Sequence, residues 1–192
     1  MAKIILITGG ARSGKSSYAL ERAEALSSKR LFVATCPKID AEMSERVRRH
    51  QEERRGRGWV TLEKQTGLAD VFLQQTEGVD VVLIDCITLW VNNILFTEAG
   101  QGQTVDDQRI GALCREWLDA TSRFAGTVIC VTNEIGLGIV PDNALARRYR
   151  DLVGTCNQLL GKQADEVVLV SCGIALTIKE PKDDTHQPKE IS

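Results

Sequence analysis

A doubly wound α/β fold, with a mostly parallel sheet and a C-terminal antiparallel hairpin, is what this sequence predicts. Three observations predict it. The apolar, β-branched run Lys3-Ile4-Ile5-Leu6-Ile7-Thr8 leads straight into Gly9-Gly10-Ala11-Arg12-Ser13-Gly14-Lys15-Ser16, and a helical pattern follows it. Further apolar runs of strand length alternate with segments of helical period along the rest of the chain. One of them, Asp80-Val81-Val82-Leu83-Ile84-Asp85, ends on a carboxylate.

The eight-residue loop fits G-x-x-x-x-G-K-[ST], the P-loop pattern, between a strand and a helix as the pattern requires. Its glycines let the backbone curl close to phosphate oxygens, and the helix N-terminus adds its dipole. Lys15 reaches the β- and γ-phosphates in such a loop, and the Ser16 hydroxyl holds Mg²⁺. The fold is therefore of the P-loop NTPase type, and the chain binds a nucleoside triphosphate.

The elements follow in order. Ser16 to Leu26 reads as a helix and Leu31 to Thr35 as the second strand. Cys36-Pro37-Lys38 ends that strand, and Asp40 is the expected cap of a helix from Ala41 to Arg54. This helix is too polar for a core element: Met43 and Val47 are its large apolar residues, and five arginines and a histidine fall within 46–55. A solvated face explains such a charge run, and so does an anion-facing surface near the P-loop. Gly56-Arg57-Gly58 breaks the helix. Trp59 to Glu63 reads as a strand, Leu68 to Gln75 as a helix, and Asp80 to Asp85 as a buried strand with the Walker B form. Thr88 to Leu95 is a helix, and Glu98 to Val105 reads as a loop. Asp106 to Phe124 is a helix with Asp106 and Asp107 suited to its first turn. Gly126 to Thr132 is a strand, Asn133 to Pro141 a loop, and Asn143 to Gly161 the clearest helix. Glu166 to Val170 and Ile174 to Ile178 form a hairpin about Ser171-Cys172-Gly173. Residues 1–178 thus make one catalytic domain, and 179–192 a polar tail.

Composition narrows the class. A chain of 192 residues with 43% hydrophobic and 26% charged residues suits one globular α/β domain. Its net charge of -2 supplies no field to draw nucleic acid or an anionic membrane. No apolar run approaches ~20 residues, so no membrane span is expected, and no secretory leader is apparent. Cys36, Cys86, Cys114, Cys130, Cys156 and Cys172 lack C-x-x-C spacing and read as reduced thiols of a cytoplasmic protein.

Ligands bind beyond the C-terminal ends of the strands in such sheets. The loops at 9–16, 34–38, 85–88 and 132–138 are expected to converge there. Small-molecule phosphoryl transfer, a hydrolysis-driven motor and a nucleotide-binding regulatory subunit all remain open at this point. Of the two histidines, His186 lies in the polar tail and reads as solvated. His50 lies on the basic helix, sharing a face with Arg46, Val47, Glu53 and Arg54. An exposed histidine explains it by composition. Imidazole is also a nucleophile at phosphorus, and flanking arginines would steady the phosphate charge.

Longer motifs carry a resemblance. They are Thr8 to Ser16, Val33-Ala34-Thr35, Asp40-Ala41-Glu42-Met43, Arg46-Val47-Arg48-Arg49-His50, Trp59 to Glu63, Asp85 to Asn93, and Val131 to Pro141 with Ala146 to Asp151. Together they resemble the bifunctional adenosylcobinamide kinase / adenosylcobinamide-phosphate guanylyltransferase family of cobalamin biosynthesis, over about residues 3–178. The resemblance implies a P-loop α/β domain assembled as a homotrimer. It implies phosphorylation of adenosylcobinamide, a corrinoid, with ATP or GTP, followed by transfer of GMP from GTP through a guanylylated histidine. That histidine falls on His50. The family's GTP site falls on Gly9, Gly10, Ala11, Arg12, Ser13, Gly14, Lys15 and Ser16, on Ala34, Thr35 and Cys36, on Gln51, Glu52, Glu53 and Arg54, and on Glu63 and Asp85. Ser16 and Asp85 fall where Mg²⁺ is held with the nucleotide. This chain departs from the family in having Gly56-Arg57-Gly58 where a proline is common, and Asp85 where glutamate is frequent. A monofunctional P-loop kinase of another metabolite is the competing enzyme reading.

Overall fold

The structure, a computed structural model, describes residues 1–37 and 41–181, without the side chains of 41–44 and 46. The expected cap Asp40, the side chains of Met43 and Arg46, and the tail from 182 with His186 lie outside the described residues.

The strands are β1 (Lys3–Thr8), β2 (Arg30–Ala34), β3 (Trp59–Glu63), β4 (Val81–Asp85), β5 (Thr127–Val131), β6 (Glu166–Ser171) and β7 (Ile174–Lys179). The helices are α1 (Lys15–Leu26), α2 (Ala41–Arg54), α3 (Leu68–Gln74), α4 (Ile87–Gly100), α5 (Asp107–Ala120) and α6 (Ala144–Gln163). The strands form one sheet in the order β3-β2-β4-β5-β1-β6-β7. Every neighbouring pair is parallel except β6 with β7. The parallel sheet and the antiparallel hairpin are as the sequence predicts.

Alternation along β1 shows why the sheet is covered on both faces. Ile4 and Leu6 join one buried cluster with α3, α4, α5 and α6. Ile5 and Ile7 join the other, with Ala19, Leu20 and Ala23 of α1. A strand buried on both sides must be apolar at successive positions, which is the continuous run seen in the sequence.

Three element ends differ from expectation. Helix α4 runs on to Gly100, through residues that read as loop. Glu98 is the reason: its carboxylate accepts from Arg109 Nε at 3.0 Å and Nη2 at 2.7 Å, which holds the last turn of α4 against α5. Asp106 caps α5 rather than opening it, accepting from the Arg109 backbone N–H at 2.7 Å, and α5 stops at Ala120 before a 3₁₀ turn at Thr121–Arg123. Asn143 caps α6 in the same way, through the Ala146 N–H at 2.8 Å.

The P-loop is wedged between β1 and the hairpin. A Cβ placed on Gly9 would stand 2.3 Å from the Val170 carbonyl oxygen and 2.8 Å from Ser13 Oγ. The backbone oxygen cannot give way without moving β6. Gly9→Ala is therefore expected to destabilise the fold by about 3 kcal/mol. A thermal melt would show a fall of roughly 6–12 °C for a chain of this size; an unchanged midpoint would mean that the loop is free of β6.

Candidate active site

The loop that follows β1 is built to leave donors open. Gly14 sits at the N-cap of α1 with φ 93°, in the left-handed region, and supplies no side chain to cap the first N–H groups. The Gly10 carbonyl accepts from Ser13 N–H at 3.3 Å and from Lys15 Nζ at 2.9 Å, so the lysine arches over the loop. Ser13 Oγ is buried without a hydrogen-bond partner among the described residues. The Gly173 N–H, in the β6–β7 turn, donates to the Ser13 carbonyl at 2.9 Å and holds the loop from the outside.

Beside it lies a cleft between the sheet edge and α2. Ser16, Ala34, Cys36, Glu63 and Asp85 line it from the sheet side, with Phe32, Cys86 and Leu89 below. From α2 come Val47, His50, Gln51 and Arg54. Their spacing is i, i+3, i+4 and i+7, one helical stripe. The opposite face is solvated: Arg48 pairs with Glu45 at 2.6 Å and with Glu52. The solvated-face explanation therefore holds for one face of the basic helix, and its other face lines the cleft beside Ser16 and Asp85. In this structure the cleft encloses about 70 Å³.

Arg54 departs furthest from a solvated charge. It is 5% exposed, its guanidinium carbon lies 3.5 Å from the centroid of the Phe32 ring, and its Nε and Nη1 are buried with no hydrogen-bond acceptor among the described residues. Burial lowers its pKa, and the charges of Asp85 and Glu53 offset part of that. Buried, stacked on an aromatic and short of acceptors, this cation is suited to an anionic ligand.

His50 is partly exposed, and its Nδ1 lies 3.2 Å from Glu53 Oε2. An ionised carboxylate only accepts, so neutral His50 carries its proton on Nδ1 and its lone pair on Nε2. Burial beside Asp85 pushes the Cys86 thiol up to about 12, so it is not a competing thiolate. Among the described residues no cluster of three or more His, Cys, Asp or Glu side chains is arranged to hold a metal. The hydroxyl of Ser16 and the carboxylate of Asp85 are hard oxygen donors of the kind Mg²⁺ takes when phosphates complete its shell.

Not every residue mapped by resemblance faces the cleft. Thr35 is fully buried; its hydroxyl donates to the Cys86 carbonyl at 2.8 Å and accepts from the Cys86 N–H at 2.7 Å, tying β2 to β4. Glu52 faces solvent with Arg48. Glu53 acts on His50 from the side. Phe32, Cys86 and Leu89 were not singled out for the site, since each reads as an ordinary apolar position in a strand or helix.

Fold, P-loop and strand-end carboxylate define a P-loop nucleotide-binding α/β enzyme. A solved flagellar accessory protein, FlaH from Methanocaldococcus jannaschii, shares the fold at 13% identity and a TM-score of 0.52, over 93% of this chain and 79% of that one. The family model for cobinamide kinase / cobinamide phosphate guanyltransferase matches residues 5–178. A bifunctional adenosylcobalamin biosynthesis protein, CobU, of Escherichia coli is 40% identical over 185 residues, covering 92% of this chain and 99% of its own. Its counterpart in Salmonella typhimurium is 38% identical over 190 residues, at 92% and 99% coverage. The chain belongs to the cobinamide kinase / cobinamide phosphate guanyltransferase family, and its function is that family's pair of transfers in cobalamin biosynthesis. No helix among the described residues is long and apolar enough to cross a membrane.

Proposed function

We propose that the chain performs both transfers in the cleft under α2: phosphorylation of adenosylcobinamide with ATP or GTP, then transfer of GMP from GTP through His50. The observation that carries this reading is the α2 stripe, which turns a nucleophilic imidazole and an acceptor-poor arginine toward the Ser16 and Asp85 side chains. In the second reaction His50 Nε2 attacks the α-phosphorus of GTP. A P–N bond forms, the bond to the α,β-bridging oxygen breaks, and pyrophosphate leaves with the electron pair. The phosphate of the acceptor then attacks the same phosphorus and restores the free imidazole. Arg54, Lys15 and the P-loop N–H groups balance the charge that builds on phosphate oxygens. Ser16 and Asp85 would hold Mg²⁺ together with the nucleotide, and the ion would supply charge neutralisation at the phosphates.

The remaining mapped residues serve the nucleotide in this reading. Gly9 to Gly14 cradle phosphates, Ala34, Cys36, Gln51 and Glu63 border the base and sugar, and Thr35 shapes the floor from behind. A single P-loop favours one pocket shared by both reactions. We take residues 1–178 as the catalytic unit, working in the cytoplasm, where six free thiols are stable. We also propose the homotrimer. Its support is the edge strand β7, which exposes Ile174, Leu176 and Ile178 on one side of an unpaired sheet edge. Sedimentation equilibrium at the mass of three chains is the expected result, and a monomer would rule it out.

The test of the two-step reading is incubation with Mg²⁺ and [α-³²P]GTP. Protein-bound label that is acid-labile and alkali-stable, the signature of a phosphoramidate, is expected. Turnover of γ-label with no bound α-label would leave a kinase alone. Glu53 provides a finer check. Glu53→Ala leaves Nδ1–H without its acceptor, and the guanylylation rate is expected to fall about 10–100-fold, the cost of losing an outer group that orients a functional histidine. An unchanged rate would make the contact incidental.

A further inference from the structure

Strand β5 lies between β4 and β1, so the chain leaving it emerges between Asp85 and the P-loop. Val131 is level with both Ile7 and Asp85. Three residues further on, the Glu134 N–H donates to the Gly9 carbonyl at 3.1 Å. The Thr8 hydroxyl donates to Glu134 Oε1 at 2.6 Å, and Asn157 Nδ2 approaches the same oxygen at 3.4 Å. Asn157 is itself fixed: its Oδ1 accepts from the Thr132 hydroxyl at 2.7 Å and its Nδ2 donates to the Asn133 carbonyl at 3.2 Å. All the contacts fall on Oε1, and among the described residues Oε2 has no partner. Neither does any lysine or arginine among them pair with this carboxylate. A carboxylate pinned by one oxygen, with the other free, against the first glycine of a P-loop, is placed to take a proton.

The segment that follows is apolar and exposed. Leu137 and Ile139 are 82% and 96% exposed, and Val140 also faces solvent. They form an apolar ledge on the same β5-to-α6 loop as Glu134, and bare aliphatic side chains clustered like this are uncommon on a protein surface. A large acceptor with some apolar surface and a reactive alcohol fits both features at once.

We propose that Glu134 is the general base of the kinase step and that the Leu137–Val140 ledge supports the rim of the same acceptor, the corrinoid. This rests on the kinase reading above. The acceptor O–H proton passes to Glu134 Oε2 as the oxygen forms its bond to the γ-phosphorus. The bond from that phosphorus to the β,γ-bridging oxygen breaks, and the nucleoside diphosphate leaves with the electron pair. Glu134 then releases its proton to water.

The test is Glu134→Gln, whose amide oxygen still accepts from Thr8. The turnover number for cobinamide phosphorylation is expected to fall by about 10²–10⁴-fold, the range for a lost general base. The KM for nucleotide and the labelling of His50 by [α-³²P]GTP are expected to stay within about threefold, since neither uses the base. Glu134→Asp is expected to recover part of the rate. Phosphorylation by Glu134→Gln at close to the wild-type rate would overturn the assignment. Kinase rate and His50 labelling falling together would overturn it too, by showing a structural role. A wild-type protein that does not phosphorylate cobinamide at all would instead overturn the functional reading. For the ledge, Ile139→Ser is expected to raise the KM for cobinamide and leave that for nucleotide; an unchanged acceptor KM removes the ledge from the proposal.

Discussion

His50→Asn is expected to abolish the covalent guanylyl-enzyme and, with it, formation of the GDP-linked product. The loss should exceed about 10³-fold, because removing a covalent nucleophile removes the route and not merely a contact. Phosphorylation of cobinamide with γ-labelled nucleotide should persist, since no step of it uses the imidazole. Asparagine is the informative replacement: it is polar and of similar reach, so it keeps the α2 stripe close to its present shape beside Val47 and Arg54. If label from [α-³²P]GTP remains on the His50→Asn protein, the nucleophile is elsewhere, and His50 returns to being a partly exposed surface histidine.

Lys15→Ala is expected to have the second-largest effect. Lys15 Nζ rests on the Gly10 carbonyl at 2.9 Å, already arched over the place where the phosphates sit in the proposed mechanism. It is a preorganised cation, and deleting one such group at a phosphoryl centre costs about 10²–10³-fold in turnover. The variant also reports how many nucleotide sites there are. If one pocket serves both reactions, kinase turnover and His50 labelling fall together. If they occupy separate sites, only the kinase falls. Steady-state phosphorylation and single-turnover labelling, measured on the same preparation, distinguish the two.

Much of the fold was legible because its signals are local. The β1 run, the P-loop and the strand ending at Asp85 each declare themselves within ten residues. The miss at Glu98 has the opposite cause. Glycine and glutamine around it spoke for a loop, and what extends α4 is a pairing with Arg109 of the next helix. The site divides in the same way. His50 and Arg54 share a helical face by spacing alone, but only Phe32, on another strand, makes Arg54 a buried cation. Thr35 sits in a matching motif and yet works as a clamp between strands, since its partner Cys86 lies fifty-one positions away. Glu134 lies in the run Val131 to Pro141, one of the motifs that carry the resemblance. Its chemistry depends on Thr8 and Asn157, which no window of sequence brings beside it.

The small volume under α2 has a kinetic consequence. A nucleotide pocket commonly needs about 300–1,000 Å³, and the cleft here encloses about 70 Å³. Seating a nucleotide base and sugar in that cleft would require α2 to swing outward. Gly56 and Gly58, at φ 72° and 75°, mark where such a swing would turn. If one molecule in about ten is open at any moment, the apparent dissociation constant is about tenfold weaker than the intrinsic one. Loosening the Arg54–Phe32 stack would then tighten apparent binding while harming catalysis. Affinity and turnover would move in opposite directions on changing one residue, a pattern that sets a latch apart from a simple contact.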